Sequence, residues 1–142
     1  MTSTSINPAA GHEGAAAQAP APTGVLRCAS YGGHDGHALA RFWAAALGWQ
    51  VTKTYGKDAA MIGDGSTSYV FYTARNHRAP HWPQDELVFH FDLSFDDVEA
   101  AQERLLELGA TKPDHQPSQW WTVLLDPSGQ PFCISPHSNW NH

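Results

Sequence analysis

The spacing of apolar positions changes along the chain, and each change marks an element. From residue 24, "GVLRCASY" reads as a strand, and "GGHD" leads into "GHALARFWAAALG". There Leu39, Phe42, Trp43, Ala46 and Leu47 stand at i, i+3, i+4, i+7 and i+8, which is one apolar helical stripe. Gly48 follows it and suits a left-handed helix end. "WQVTKTY", "AAMIG" and "SYVFYTAR" are three further strand-like runs, with "IGDGS" at 62–66 as a hairpin turn. After the loop "NHRAPHWPQDE", the run "LVFHFDLSF" alternates. Phe89, Phe91 and Leu93 fall on one face of a strand, and His90, Asp92 and Ser94 on the other. "DDVEAAQERLLELG" is a second helix, with Val98, Ala101, Leu105 and Leu108 on its stripe and Gly109 at its end. "ATKPD", "WWTVLLDPSG" and "QPFCIS" again read as strands, with "DPSG" as a turn.

The order of elements therefore occurs twice. Cys28 stands seven residues before Asp35, which opens the first helix, and His90 stands seven before Asp97 at the second. Asp35 to Gly48 is 13 residues, and Asp97 to Gly109 is 12. A period of about 60 residues points to a duplicated half-domain rather than a solenoid. The expected fold is α+β: two tandem βαβββ modules forming a curved, half-open eight-stranded barrel with helices on the convex side. Module one spans 24–75, a linker 76–86 and module two 87–136, all within one domain at 24–142. The polar and aromatic side chains of the opposite sheet faces would then line a concave cup.

Composition narrows the function. Residues 1–23 are rich in Ala, Pro, Gly and Ser and hold almost no large apolar side chain, so a disordered tail is expected there. That stretch lacks the charged start and apolar middle of a secretory signal, and no run of 18 apolar residues occurs. With the plainer reading of the two cysteines as thiols, a cytoplasmic protein without membrane contact is expected. Net charge is −6 with only eight Lys plus Arg, which argues against nucleic-acid binding. Six Trp, six Phe and four Tyr exceed what a small core needs and point to an aromatic ligand surface or interface.

"DGHALARFWAAALGW", "HFDLSFDDVEAAQERLLELGA" and "WWTVLLDPSGQPFCI", in this order, resemble the vicinal oxygen chelate superfamily, within its glyoxalase/bleomycin-resistance group. The resemblance covers nearly all of 24–136. It implies the paired-module fold, but this superfold hosts metal-dependent enzymes and metal-free drug-binding proteins alike. In metal-dependent relatives the first and last strands of each module point His, Glu or Gln ligands into the cup. By that resemblance His90 matches the ligand position opening module two, and Cys28 the same position in module one. Cys133 falls where the family's Glu follows the turn, and Tyr69 or Phe71 takes the remaining position. The resemblance also implies a homodimer, in which Trp140 could pack into the contact.

Several readings stay open for these residues. His90 is a cup-facing ligand or acid/base group, or a strand histidine paired with Asp92 or Ser94. Cys28, His90 and Cys133 could form a Cys2His zinc site with an open position, or the thiols could be small buried hydrophobes. A disulfide between them requires Cα atoms within about 7 Å. Trp43 belongs to the core and Trp82 to a linker or rim. Trp120 and Trp121, as strand neighbours, face opposite ways. Asp92 shares the His90 face and could orient its ring, whereas Asp126 caps its own turn. The leading expectation is a small-molecule binder without metal or other cofactor, taking an aromatic or planar metabolite between Cys28, Tyr69, Phe71, His90, Asp92, Cys133 and one of Trp120 and Trp121. The alternative is a lyase, isomerase or hydrolase using His90 as acid/base, with or without zinc.

Overall fold

A computed structural model describes residues 24–141, so the expected tail at 1–23 lies outside the described residues. The element order is β1 (Ala29–Gly33), α1 (Gly36–Leu47), β2 (Gln50–Tyr55), β3 (Ala59–Gly63), β4 (Ser68–Thr73), β5 (Asp92–Phe95), α2 (Val98–Leu108), β6 (Thr122–Leu125) and β7 (Pro131–Pro136), closed by a 3-10 turn at His137–Trp140. Both helices start where a side chain satisfies a free backbone N–H: Asp35 accepts from Ala38, and Asp97 accepts from Ala100. Gly48 ends α1 with φ 70°, a left-handed conformation that costs glycine little.

The duplication is visible in the pairing. In module one the sheet order is β1-β4-β3-β2, and in module two it is β5-β7-β6. In each, the first strand runs parallel to the last, β1 beside β4 and β5 beside β7. The expected eight-stranded barrel is not formed: the described residues hold seven strands in two separate sheets. The missing strand is the "ATKPD" run, which contributes one bridge, Thr111 to Leu125. Pro113 and Pro117 lack the N–H groups a ladder needs. The Gln116 side chain pairs with β6 in their stead. Its amide donates to the Val123 carbonyl at 2.9 Å, and its carbonyl accepts from the Val123 N–H at 2.8 Å.

A second strand is shorter than its pattern. Alternation predicts a strand across 87–95, but the ladder holds only Asp92–Phe95. The last rung before it runs from Cys133 N–H to the Phe91 carbonyl at 3.0 Å. The next rung would need an N–H from residue 131, which is proline. The Gln130 side chain supplies that donor to the Phe89 carbonyl at 3.1 Å.

The core lies between α1 and both modules. Leu39, Phe42 and Trp43 are buried as the stripe predicts, and Ala46 and Leu47 pack at its margin. Trp43 packs edge-on against Phe132 (centroids 4.8 Å apart) and Phe91 (5.0 Å), so one helix of module one reaches the sheet of module two. The "DPSG" turn fixes this docking. One oxygen of buried Asp126 caps its own turn, accepting from Ser128 N (2.8 Å) and Gln130 N (3.1 Å). The other accepts from Tyr31 Oη (2.6 Å) and Trp43 Nε1 (3.2 Å), both in module one. Burial pushes the Asp126 carboxyl above the usual range, and these four donors partly offset it. No helix among the described residues is long and apolar enough to cross a membrane.

Candidate functional site

Strand register places the site. In module two, Asp92 lies opposite Cys133, and Cys133 lies opposite Val123. These three side chains share the sheet face turned away from Leu93, Ile134 and the core. His90 and Trp121 each stand two residues before a member of this row and continue the same face beyond the ladder. This face forms the floor of a cavity of about 390 Å³. The linker contributes Trp82 and the start of module two Leu87 to its wall, and the C-terminal 3-10 turn contributes Asn139 and Trp140. Trp140 is held by its Nε1, which donates to Ser135 Oγ at 3.0 Å. Asn139 Nδ2 donates to the Trp120 carbonyl at 2.8 Å and ties the turn to the wall.

At the floor sits a polar trio. His90 Nε2 lies 3.5 Å from Asp92 Oδ2. One donor atom each from His90, Asp92 and Cys133 lies within 4.8 Å of the others. Burial, then the charge of Asp92 and a hydrogen bond to it, push the Cys133 thiol up to about 11. Near neutral pH it is therefore a protonated thiol, not a nucleophilic thiolate.

The expected site residues divide. His90, Asp92, Cys133 and Trp121 line the cavity, whereas Trp120 is 64% exposed and turns away from it. Cys28 lies apart, beside Ser66, Thr67 and Tyr69 on a different surface hollow, and both cysteines are free. The Cys2His grouping, one of the readings left open above, is thus not assembled; Asp92, not Cys28, lies beside His90 and Cys133. Phe71 differs from expectation, whereas Tyr69 shares a separate hollow with His90 and Asp92. Phe71 pairs with Ala60 and Tyr69 with Ile62, which puts both on the face toward α1. Phe71 is fully buried, and Tyr69 stacks on Trp49 with centroids 5.6 Å apart. Ser135, Asn139 and Trp140 are lining residues that the pattern did not select. Ser135 could have been found by alternation from Cys133, but the other two arrive by a turn that alternation does not describe.

A vicinal-oxygen-chelate metal would need donors here, and the trio fits one in kind. Imidazole, carboxylate and thiolate are all zinc ligands, and three of them leave a position open. The thiol would first have to lose the proton that it shares with Asp92.

The fold and this one-sided cavity define a domain of a βαβββ module and a βαββ module that holds its polar groups at the open face of the second sheet. The glyoxalase-like domain model matches residues 31–135, and the chain belongs to that family, within the vicinal oxygen chelate superfamily. Solved structures share the fold at low identity. A possible glyoxalase from Bacillus cereus is 16% identical with TM-score 0.59, over 80% of this chain and 99% of that one. A glyoxalase/bleomycin resistance protein/dioxygenase family enzyme from Burkholderia phytofirmans PsJN is 18% identical with TM-score 0.56, over 78% and 96%. A lactoylglutathione lyase from Agrobacterium tumefaciens is 15% identical with TM-score 0.52, over 86% and 100%. No curated protein sequence matches the chain.

Proposed function

We propose that this chain binds a small, planar, largely apolar organic molecule in the module-two cup, without a metal. The observation that carries this reading is the wall: Trp82, Trp121 and Trp140 converge from three separate segments on one cavity of about 390 Å³. Stacking on such rings adds about 0.5–1.5 kcal/mol per aromatic pair beyond area burial. At the floor the Cys133 thiol is kept neutral beside Asp92, and the His90 ring lies 3.5 Å from the same carboxylate. Calorimetric titration with planar heteroaromatic compounds tests the reading. Saturable 1:1 binding that Trp121→Ala weakens supports it, and binding indifferent to Trp121 refutes it.

The same trio favours a second reading, an enzyme that moves a proton. His90 is one-third exposed at the cavity edge, with Asp92 beside its Nε2. An imidazole so placed could act as acid or base toward a bound oxygenated substrate, with Asp92 orienting the ring. If a zinc-type ion is held, His90, Asp92 and Cys133 would hold it, and it would polarise a substrate oxygen. Turnover lost in His90→Ala with binding intact would establish this reading over the first. We also propose that the protein pairs as a homodimer, which would cover the exposed Tyr55 and Tyr72 of module one. Light scattering that gives a single-chain mass at micromolar concentration would refute the dimer.

A further inference from the structure

We infer that the occupant of the cup is an organic cation: a flat ring bearing a quaternary or protonated nitrogen. The inference deepens the binding reading and rests on it. Any ligand that fills the cavity strips water from Asp92, whose side chain is 43% exposed in the open cup. A buried carboxylate without a compensating charge is costly. The described lining residues include no Lys or Arg to compensate it. The neighbouring Cys133 donates one hydrogen bond but carries no charge near neutral pH. With a neutral ligand the carboxylate would have only the Cys133 thiol and the His90 ring, 3.5 Å away, beside it, and an anion would add repulsion. A cation offsets the lost water and pairs with the carboxylate directly.

The walls suit the same chemistry. Trp140 has its only N–H engaged by Ser135, so the ring itself, not a hydrogen bond, is what it presents to the cavity. Indole faces attract cations through their negative π-surface. Trp121 is 42% and Trp140 52% exposed, so both keep uncommitted surface. The net charge of −6 acts in the same direction at longer range.

Three probes of one shape separate the outcomes: N-methylquinolinium, quinoline and quinoline-carboxylate, titrated calorimetrically into the full chain at about pH 8, where quinoline is uncharged. The expected order is cation first by about tenfold over the neutral ring, with the anion weakest. Asp92→Asn should lower the cation's affinity by more than the neutral ring's, closing the gap of about tenfold between them. Trp121→Phe should lower all three. Equal binding of all three probes overturns the cation inference and leaves the cup a binding site. Binding by none overturns the planar-ligand reading together with it. Cation binding that survives in both variants shows attraction to the acidic surface at large and overturns the site assignment. Equimolar zinc that blocks N-methylquinolinium and is lost in Cys133→Ser assigns the trio to a metal and overturns the inference as well.

Discussion

The two modules share a topology and differ in what they do with it. Register aligns them position by position. Ser30 opposite Val70, beside Met61, in module one corresponds to Asp92 opposite Cys133, beside Val123, in module two. Cys28 corresponds to His90 by the shared spacing to the helix start. Module two therefore carries a carboxylate, a thiol and an imidazole where module one carries a hydroxyl, an isopropyl and a lone thiol. Their surroundings differ too. The open face of module one is roofed by its own side chain, the Tyr72 ring lying so close over Gly32 that an added Cβ would meet it at 2.7 Å. The open face of module two is walled by a linker and a C-terminal turn, which leave a cavity. Duplication supplied two equivalent faces, and the segments outside the repeat decided which became a cup.

The largest expected effect concerns what joins the modules. Asp126→Ala strands four donors, two of them from module one. Each unsatisfied buried group costs about 1–3 kcal/mol, so a loss of about 3 kcal/mol or more is expected in urea unfolding. A loss below about 1 kcal/mol would show that the modules dock through apolar contact alone. Next in size, Trp121→Ala should cost the cup about 2 kcal/mol in ligand affinity, or about 30-fold, while Tyr72→Ala in module one should leave affinity unchanged. Equal losses would mean that both faces bind. His90→Ala should cost about 0.5–1.5 kcal/mol in binding, the worth of one hydrogen bond. If the cup is an active site, the loss appears instead as about 10²–10⁴-fold in rate.

The smallest effect separates the thiols of the two faces. Cys133 ionises in the folded chain only at about 11, well above an unfolded thiol. A folded pKa raised in this way means stability is complete below about pH 9 and declines as pH rises toward about 11. Tyr31, pushed up by burial and by Asp126, adds a decline of the same sign. The difference between wild type and Cys133→Ser in alkaline unfolding therefore isolates the thiol, and parallel curves would refute its share. Iodoacetamide at about pH 8.5 should label Cys28 well before Cys133.

How much of this was legible depends on what each pattern encodes. The helices were legible because stripe, cap and terminal glycine agree at Leu39–Leu47 and again at Val98–Leu108. The His90, Asp92 and Ser94 face was legible because its partner face is wholly apolar. "SYVFYT" was not, because both alternating sets are apolar or aromatic, and parity alone could not say that Tyr69 and Phe71 face α1. The lost strand turned on two prolines and on a glutamine side chain that acts as a strand edge. The four-stranded and three-stranded sheets stay separate, so equal spacing to a helix did not bring Cys28 to His90. Asp126 was read as a turn cap, which is right for one of its oxygens; the other serves a module that the local motif does not mention.

Gln116 has a consequence for how a ligand enters. A backbone ladder holds a wall at every second residue, so a wall so held opens only by unzipping. Here the stretch from 112 to 121, which ends at Trp121, is tied to β6 by the Thr111 bridge and by one amide side chain. A side chain swings out by rotation about its own bonds, leaving the sheet intact. Releasing it gives up about two hydrogen bonds of about 1 kcal/mol each, far less than the cost of unfolding a domain. The Asn139 bond to the Trp120 carbonyl still holds the end of the stretch at Trp121, so releasing Gln116 frees only the segment before it, which brings Pro117 to the cup wall. The Val123 amide should exchange with solvent through this local release, and faster still in Gln116→Ala, while the Ile134 amide one strand away keeps the protection of the whole fold.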